Sequence, residues 1–321
     1  QKQRNMENPF IITGKIKPEY FCDRQQEAER IISKVTNGEN LVLMAARRIG
    51  KSKLIDFCLD KPAIKDHFIG ISIDILRTSS INEFTFELGK AVFEQAARRG
   101  TKMLKMVVNT LKTINGCFGY DPISNTPTFS LSLGDISNPI YTLEEIFSCL
   151  EKADKKCIVA IDEFQQIGYY PEKNMEAILR TYIQQCNNAN FIFSGSERHL
   201  ISKMFSEKAH PFYNSADMMY LEVIPLDKYT EFCERLFHKF GKDISKEAIA
   251  KVYEIFEGNT YYMQKVVHEA FNQTDVANEA NVEMMENIIQ SMVLDNDHKF
   301  SELLSRLTLP QKELLYAIAK D

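Results

Sequence analysis

The sequence has no excess of positive charge, no paired cysteines and no long apolar run, and each absence removes a class of function. Its 39 Lys and Arg residues are outnumbered by 44 Asp and Glu, a formal net charge of −5. No global basic field would draw nucleic acid, so DNA contact would need a local patch. The seven cysteines, Cys22, Cys58, Cys117, Cys149, Cys157, Cys186 and Cys233, stand singly without Cys-x-x-Cys spacing. They read as reduced core residues of a cytoplasmic protein. Cys233 and His238 lack a second ligand pair nearby in sequence, which argues against a shared metal. No stretch approaches the roughly 20 apolar residues of a membrane span. No signal peptide is visible, and a first residue other than Met suggests a trimmed start.

What is present is 321 residues of ordinary globular composition, 44% hydrophobic, enough for two or three domains. The chain is organised around residues 40–56. Leu41 to Met44 form a wholly apolar run, as a central strand covered on both faces would. Gly50-Lys51-Ser52 then opens a helix with Leu54, Ile55, Phe57, Cys58 and Leu59 to bury. Strand, tight loop and helix make a phosphate-binding loop, in which backbone N–H groups and the helix N-terminus face phosphate oxygens. Arg47, Arg48, Ile49, Gly50, Lys51, Ser52 and Lys53 form its expected nucleotide-binding set. Lys51 would reach the β- and γ-phosphates and the Ser52 hydroxyl would ligate Mg²⁺. Ala45 stands where the usual pattern has its first glycine, so that residue needs either an ordinary φ or strain.

A second motif lies far downstream. Cys157-Ile-Val-Ala-Ile-Asp162-Glu163 is an apolar strand ending in two carboxylates. Asp162 at its C-terminal edge can hold Mg²⁺ beside Ser52, and Glu163 can orient a water for attack on the γ-phosphate. Asn190 to Ser196 is a further apolar strand, ending in Ser194 and Ser196, whose hydroxyls could meet the γ-phosphate; as the alternative, Ser196 caps the next helix. Arg198 is the nearest arginine. Expected strands at His67 to Ile75, with Asp74 near its end, and at Met219 to Ile224 complete a set of five.

Around these, a helix spans about Gln25 to Val35 after an entry segment, residues 1–39, whose Tyr20 and Phe21 either pack on adenine or cover the sheet. Residues 80–115 have helical spacing, and Arg98, Arg99, Lys102, Lys105 and Lys112 read as a solvated face. Gly, Pro and Asn around the alternating Thr128 to Leu133 suggest a hairpin inserted over about 116–140 of the α/β domain, residues 40–225. From Pro225 the pattern is helical: a lid over 226–280, with a break at Glu257-Gly-Asn-Thr260, then a linker helix and the start of another domain over 281–321. That the chain stops inside an amphipathic helix suggests a truncated domain.

In the order of these motifs the chain resembles the archaeal-type P-loop ATPases of the AAA+/STAND group, which also occur in Bacteroides-like bacteria. The matching residues are Tyr20-Phe-Cys-Asp-Arg24 with Glu27, Arg47-Arg-Ile-Gly-Lys-Ser52, Ile161-Asp-Glu-Phe164, Phe193-Ser-Gly-Ser196, Pro211-Phe-Tyr213 and Gly258-Asn-Thr-Tyr-Tyr262. The resemblance implies a five-stranded parallel sheet in the order 5-1-4-3-2, a helical lid with nucleotide between, and a C-terminal winged helix beginning near Leu307. It implies ATP and Mg²⁺ as cofactors, phosphate and metal contacts from Lys51, Ser52 and Asp162, water activation by Glu163, and γ-phosphate sensing by Ser194 or Ser196, with Arg24 and Tyr261 in the nucleotide-binding set. The chain departs from the pattern at Ala45-Ala46, at Asn214-Ser215 where many relatives carry Gly-Arg, and in a lid break without arginine, where Lys265 stands nearest.

The expectation is a Mg²⁺-dependent ATPase acting as a nucleotide-controlled switch. Its turnover would be slow, because no arginine in the chain stands ready to neutralise developing phosphate charge. A second copy or another protein is an expected partner, and DNA only through the C-terminal module. The rival readings are a non-catalytic nucleotide-binding scaffold, a DNA-associated regulator acting through the winged helix, and a small-molecule P-loop kinase.

Overall fold

The computed structural model describes residues 8–14, 16–114, 118–120, 127–129 and 133–319. Two compact units divide the chain: residues 24–223, and the two ends together, 1–23 with 224–321.

The first unit is α/β. Arg24, at φ 72°, starts helix α1 (Gln25–Thr36), which buries Ala28, Ile31 and Val35 along one stripe. Strand β1 (Leu41–Ala45) is buried at every residue and leads through the loop of residues 46–50 into α2 (Lys51–Asp60). A short α3 (Pro62–Lys65), β2 (Ile69–Asp74), α4 (Ile81–Arg99) and α5 (Thr101–Thr110) follow. Ser80 caps α4 by accepting from the Glu83 N–H, and Gly100 separates α4 from α5. Strands β3 (Phe118–Tyr120) and β4 (Pro127–Phe129) pair antiparallel. Residues 121–126 of the expected hairpin, with Asp121-Pro122 and Asn125-Thr126, lie outside the described residues, as do residues 115–117 and 130–132.

After a 3₁₀ turn (Leu133–Asp135), α6 (Pro139–Glu151), capped by Asn138, leads to β5 (Cys157–Asp162). A 3₁₀ helix (Phe164–Tyr169), α7 (Met175–Gln185), β6 (Ala189–Gly195), α8 (Arg198–Ser206) and β7 (Asp217–Leu221) complete the unit. The five long strands form one parallel sheet in the order β2-β5-β6-β1-β7, which is the expected 5-1-4-3-2 read from the other edge. The physical reason shows in burial. Interior strands β1 and β5 are buried throughout, while edge strands β2 and β7 alternate between covered and exposed residues.

The second unit is helical, built from α9 (Leu226–Lys239), α10 (Lys246–Phe256), α11 (Thr260–Gln273), α12 (Val282–Asp295), α13 (Asp297–Ser305) and α14 (Leu309–Ile318). Strands β8 (Asp243–Ile244) and β9 (Glu279–Ala280) pair in parallel within it. The segment before α1 supplies its central ring: Phe10, with its N–H bonded to the Asn8 side chain, sits 5.7, 5.4 and 5.7 Å from the rings of Phe232, Phe237 and Phe271. Cys233 is buried in this core, and His238 instead pairs with Asp243 at 2.8 Å. Among the described residues no helix is long and apolar enough to cross a membrane.

Candidate functional site

Three strand ends and one helix start meet at the carboxyl edge of the sheet. The loop leaving β1 turns through two left-handed residues, Arg48 at φ 67° and Gly50 at φ 89°, before α2 begins at Lys51. Ala45 is not among the residues of positive φ; it remains in β1, paired with Leu221, and carries no strain. Ile49 is buried and pins the loop, while Arg47 and Arg48 are exposed.

Asp162, at the end of β5 and 6% exposed, gathers the phosphate-loop and sensor side chains. Its Oδ2 accepts from Ser52 Oγ, its Oδ1 accepts from Ser194 Oγ at 2.6 Å, and Lys51 Nζ lies 2.8 Å from Oδ1. Burial pushes the Asp162 carboxyl up, but the Lys51 charge and the bonds from Lys51, Ser194 and Ser52 outweigh it and hold the group below the usual range. Ser194 reaches it because β6 lies beside β5 in the sheet.

Glu163 would point to the opposite face if β5 continued. It adopts φ 57° instead, and the backbone turns there so that Lys51 also lies 3.0 Å from its Oε1. Its Oε2 accepts from Gln165 Nε2 at 2.6 Å, Ser196 Oγ at 2.7 Å and the Ser196 N–H at 3.2 Å. Here too burial raises the carboxyl, while the Lys51 charge and the bonds from Gln165, Ser196 and Lys51 bring it net below the usual range. Arg47 Nε donates to Ser196 Oγ at 3.3 Å and its guanidinium lies 3.7 Å from Glu197, which also accepts from the Tyr169 hydroxyl at 3.0 Å. Under the site, Phe164 packs on Phe193 and Phe212 with centroids 4.6 and 5.2 Å apart, and Phe193 on Phe205 at 5.1 Å. The Pro211-Phe-Tyr213 motif is thereby anchored by a fully buried ring.

A hard divalent cation such as Mg²⁺ suits this donor set. Ser52 Oγ and an Asp162 carboxylate oxygen adjoin, and among the described residues no cluster of three His, Cys, Asp or Glu could cage an ion by itself. A metal held here would be completed by water and substrate phosphate.

A family model for an ATPase domain found predominantly in Archaea matches residues 21–266. The chain belongs to this family. Its ATPase domain is similar in fold to a Walker-type ATPase of Pyrococcus abyssi, at 20% identity over 94% of this chain and 81% of that one, with a TM-score of 0.65. It is likewise similar to the Aeropyrum pernix ORC2 protein, solved as ADPNP–ADP complexes, at 12% identity over 89% and 72% with a TM-score of 0.57. The ORC1 protein of the same organism, solved in complex with DNA, gives 10%, 94% and 73%, and 0.55. No curated protein matches the sequence.

The remaining expected residues of the ATPase domain have their own surroundings. Lys53 pairs with Asp56 at 3.9 Å. Arg24 is 4% exposed, pairs with Glu27 at 2.8 Å and donates to the Glu222 carbonyl at 2.5 Å, which accounts for the Arg-x-x-Glu spacing as a structural tie. Arg198 opens α8, and its Nε is buried without a hydrogen-bond partner. Tyr20, Phe21 and Tyr261 belong to the helical unit. There Tyr20 is a core residue with the Lys239 ammonium 4.9 Å from its ring centre, and Tyr261 meets Tyr262 edge-on at 5.3 Å. Of two further residues at the site, sequence reasoning places Asp74 at the ligand edge but as a loop cap, and passes over Gln165. Asp74 sits beside Asp162 in register, and burial, with the charges of Asp162 and Glu163, pushes its carboxyl up despite the bond from the Leu76 N–H. Gln165 gives no signal in sequence, since an amide three residues beyond a strand is unremarkable.

Proposed function

We propose that the protein binds ATP with Mg²⁺ and hydrolyses it slowly, as a nucleotide-controlled switch. The observation that carries this reading is the convergence of Lys51, Ser52 and Ser194 on Asp162, with Glu163 held one residue further along. Lys51 would trade its carboxylate partners for the β- and γ-phosphate oxygens. Ser52 and Asp162 would hold the metal, which when bound neutralises phosphate charge. Glu163, freed from the ammonium, would orient the attacking water and receive its proton. Ser194 would hold the Asp162 carboxylate and Ser196 that of Glu163. The exposed Arg47 is tied to Ser196 and Glu197, which leaves the transferred charge to be met mainly by Lys51 and the metal. Slow turnover follows from that economy of cations.

Single-turnover hydrolysis of Mg-ATP by the wild type and by Glu163→Gln, with bound nucleotide quantified, tests the proposal. Hydrolysis by the wild type and retention of intact ATP by the variant support it. ATP binding without hydrolysis by either makes the protein a nucleotide-dependent scaffold. Including duplex DNA in parallel reactions at two salt concentrations tests nucleic acid as a partner, since phosphate contacts weaken with salt.

A further inference from the structure

Gln165 breaks the rule that a buried polar side chain has its hydrogen bonds made. It is 2% exposed. Its Nε2 donates to Glu163 Oε2 at 2.6 Å, but its Oε1 is buried without a partner. The amide must face this way, because its oxygen set against the carboxylate would repel it. The unpaired oxygen is lodged over Gly195, where an ideal Cβ would stand 2.2 Å from it. Gly195 lies in β6 without a positive φ, so it is glycine for space and not for backbone freedom. An apolar residue of the same length would fill the position with no orphaned oxygen. The chain keeps an amide there, and among the described residues the one bond that amide makes is to Glu163.

The two oxygens of Glu163 are unequally engaged. Oε2 takes three donors, from Gln165 and from the Ser196 hydroxyl and N–H, whereas Oε1 takes Lys51 alone. An oxygen with about two lone pairs and three donors has no capacity left for water. The terminal torsion of a glutamate is soft, so without such anchoring the carboxylate would swing between orientations.

We propose that Gln165 is a positioning residue that pins Glu163 by Oε2, leaving Oε1 as the oxygen that addresses the attacking water once Lys51 turns to phosphate. This rests on the role given to Glu163 above. Ser196 supplies the rest of the clamp from the residue after β6, and Gly195 makes room for the Gln165 amide.

The test uses Gln165→Met, which keeps length and removes the donor, and Gln165→Asn, which keeps the amide but withdraws it by one methylene. Both are expected to slow single-turnover hydrolysis about 10- to 100-fold through misplacement of the water-orienting group. The affinity for Mg-ATP should stay within about twofold, the signature of an interaction made in the transition state. A second readout needs neither nucleotide nor metal: the Gln165 side-chain amide signal in a ¹⁵N spectrum, identified by its loss in Gln165→Met, should shift in Glu163→Ala. Variants that hydrolyse at the wild-type rate, while Glu163→Gln does not, overturn the role of Gln165 and leave that of Glu163 standing. Loss of affinity and thermal stability in step with rate makes Gln165 a packing residue and overturns it equally, as does an amide signal indifferent to Glu163→Ala. A wild type without turnover, or undiminished turnover in Glu163→Gln, removes the reading of Glu163 and the clamp with it.

Discussion

Lys51 Nζ lies 3.0 Å from Glu163 Oε1 and 2.8 Å from Asp162 Oδ1, so one ammonium on α2 balances two adjacent carboxylates at the end of β5. All three side chains are largely buried, at 6%, 9% and 13% exposure for Lys51, Asp162 and Glu163. Lys51→Met therefore leaves two neighbouring negative charges without their cation, and a loss of about 2 kcal/mol of stability is expected. Adding Asp162→Asn should recover part of it. Urea unfolding of the single and double variants checks the coupling.

Acid should weaken the same cluster. Asp162 and Glu163 are both held below their ordinary values of 3.8 and 4.5, so their contribution to stability is complete above those values and is lost as pH falls through and below them. Asp162→Asn is expected to show a shallower decline of melting temperature than the wild type as pH is lowered below about 4, and no difference in slope above it. Equal slopes would place the acid sensitivity elsewhere.

Ser194 is fully buried and its hydroxyl has one acceptor at the site, Asp162 Oδ1. Ser194→Ala should cost about 1 kcal/mol. It should also raise the Mg²⁺ concentration needed for half-maximal hydrolysis, because the carboxylate loses the bond that fixes its angle. A magnesium titration of turnover at saturating ATP measures this.

Gly195→Ala adds a methyl group 2.2 Å from Gln165 Oε1 and 2.9 Å from Ile201 Cδ1. Overpacking of this kind is expected to lower stability by about 1–3 kcal/mol, read from the denaturant midpoint.

Burial pushes the Cys58, Cys149, Cys157 and Cys186 thiols up to about 12, and that of Cys233 well above its ordinary value. At about pH 8 the thiolate fraction of a group with such a pKa is on the order of one in ten thousand, so these five should resist a thiol-specific disulfide reagent in the native protein and react on unfolding. Mass mapping of the labelled cysteines decides it.

Much of the architecture can be read from the amino acids, because interior parallel strands must be apolar on both faces. Leu41 to Met44 and Cys157 to Ile161 could scarcely serve another purpose, and their alternation with helices makes the sheet parallel, whereas the strand order is implied by the family resemblance and not by the pattern. The site is legible only in part. Adjacent carboxylates at Asp162 and Glu163 say nothing of the left-handed turn that lets one lysine reach both. Tyr20 could equally stack on a base or fill a core, and only its burial in one cluster with Phe10, Tyr229 and Phe232 assigns it to the helical core. Ala45 looks like a flaw in the phosphate loop, yet the strain it raises never arises, because the chain does not turn until Arg48. Gln165 acquires meaning from the oxygen it cannot satisfy, which no residue type announces.

The central place of β1 in the sheet bears on how the protein is made. Leu41 pairs with Ile192 on one side and Asp217 on the other, so the strand leaves the ribosome about 150 residues before its first partner. At typical rates of synthesis that is a wait of roughly ten to thirty seconds for the apolar stretch that carries the phosphate loop. Until β6 arrives, Lys51 and Ser52 have neither Ser194 beside them nor a finished sheet beneath. Affinity for nucleotide should thus appear late and abruptly during translation, and stalled nascent chains ending before Gly195 should fail to bind it.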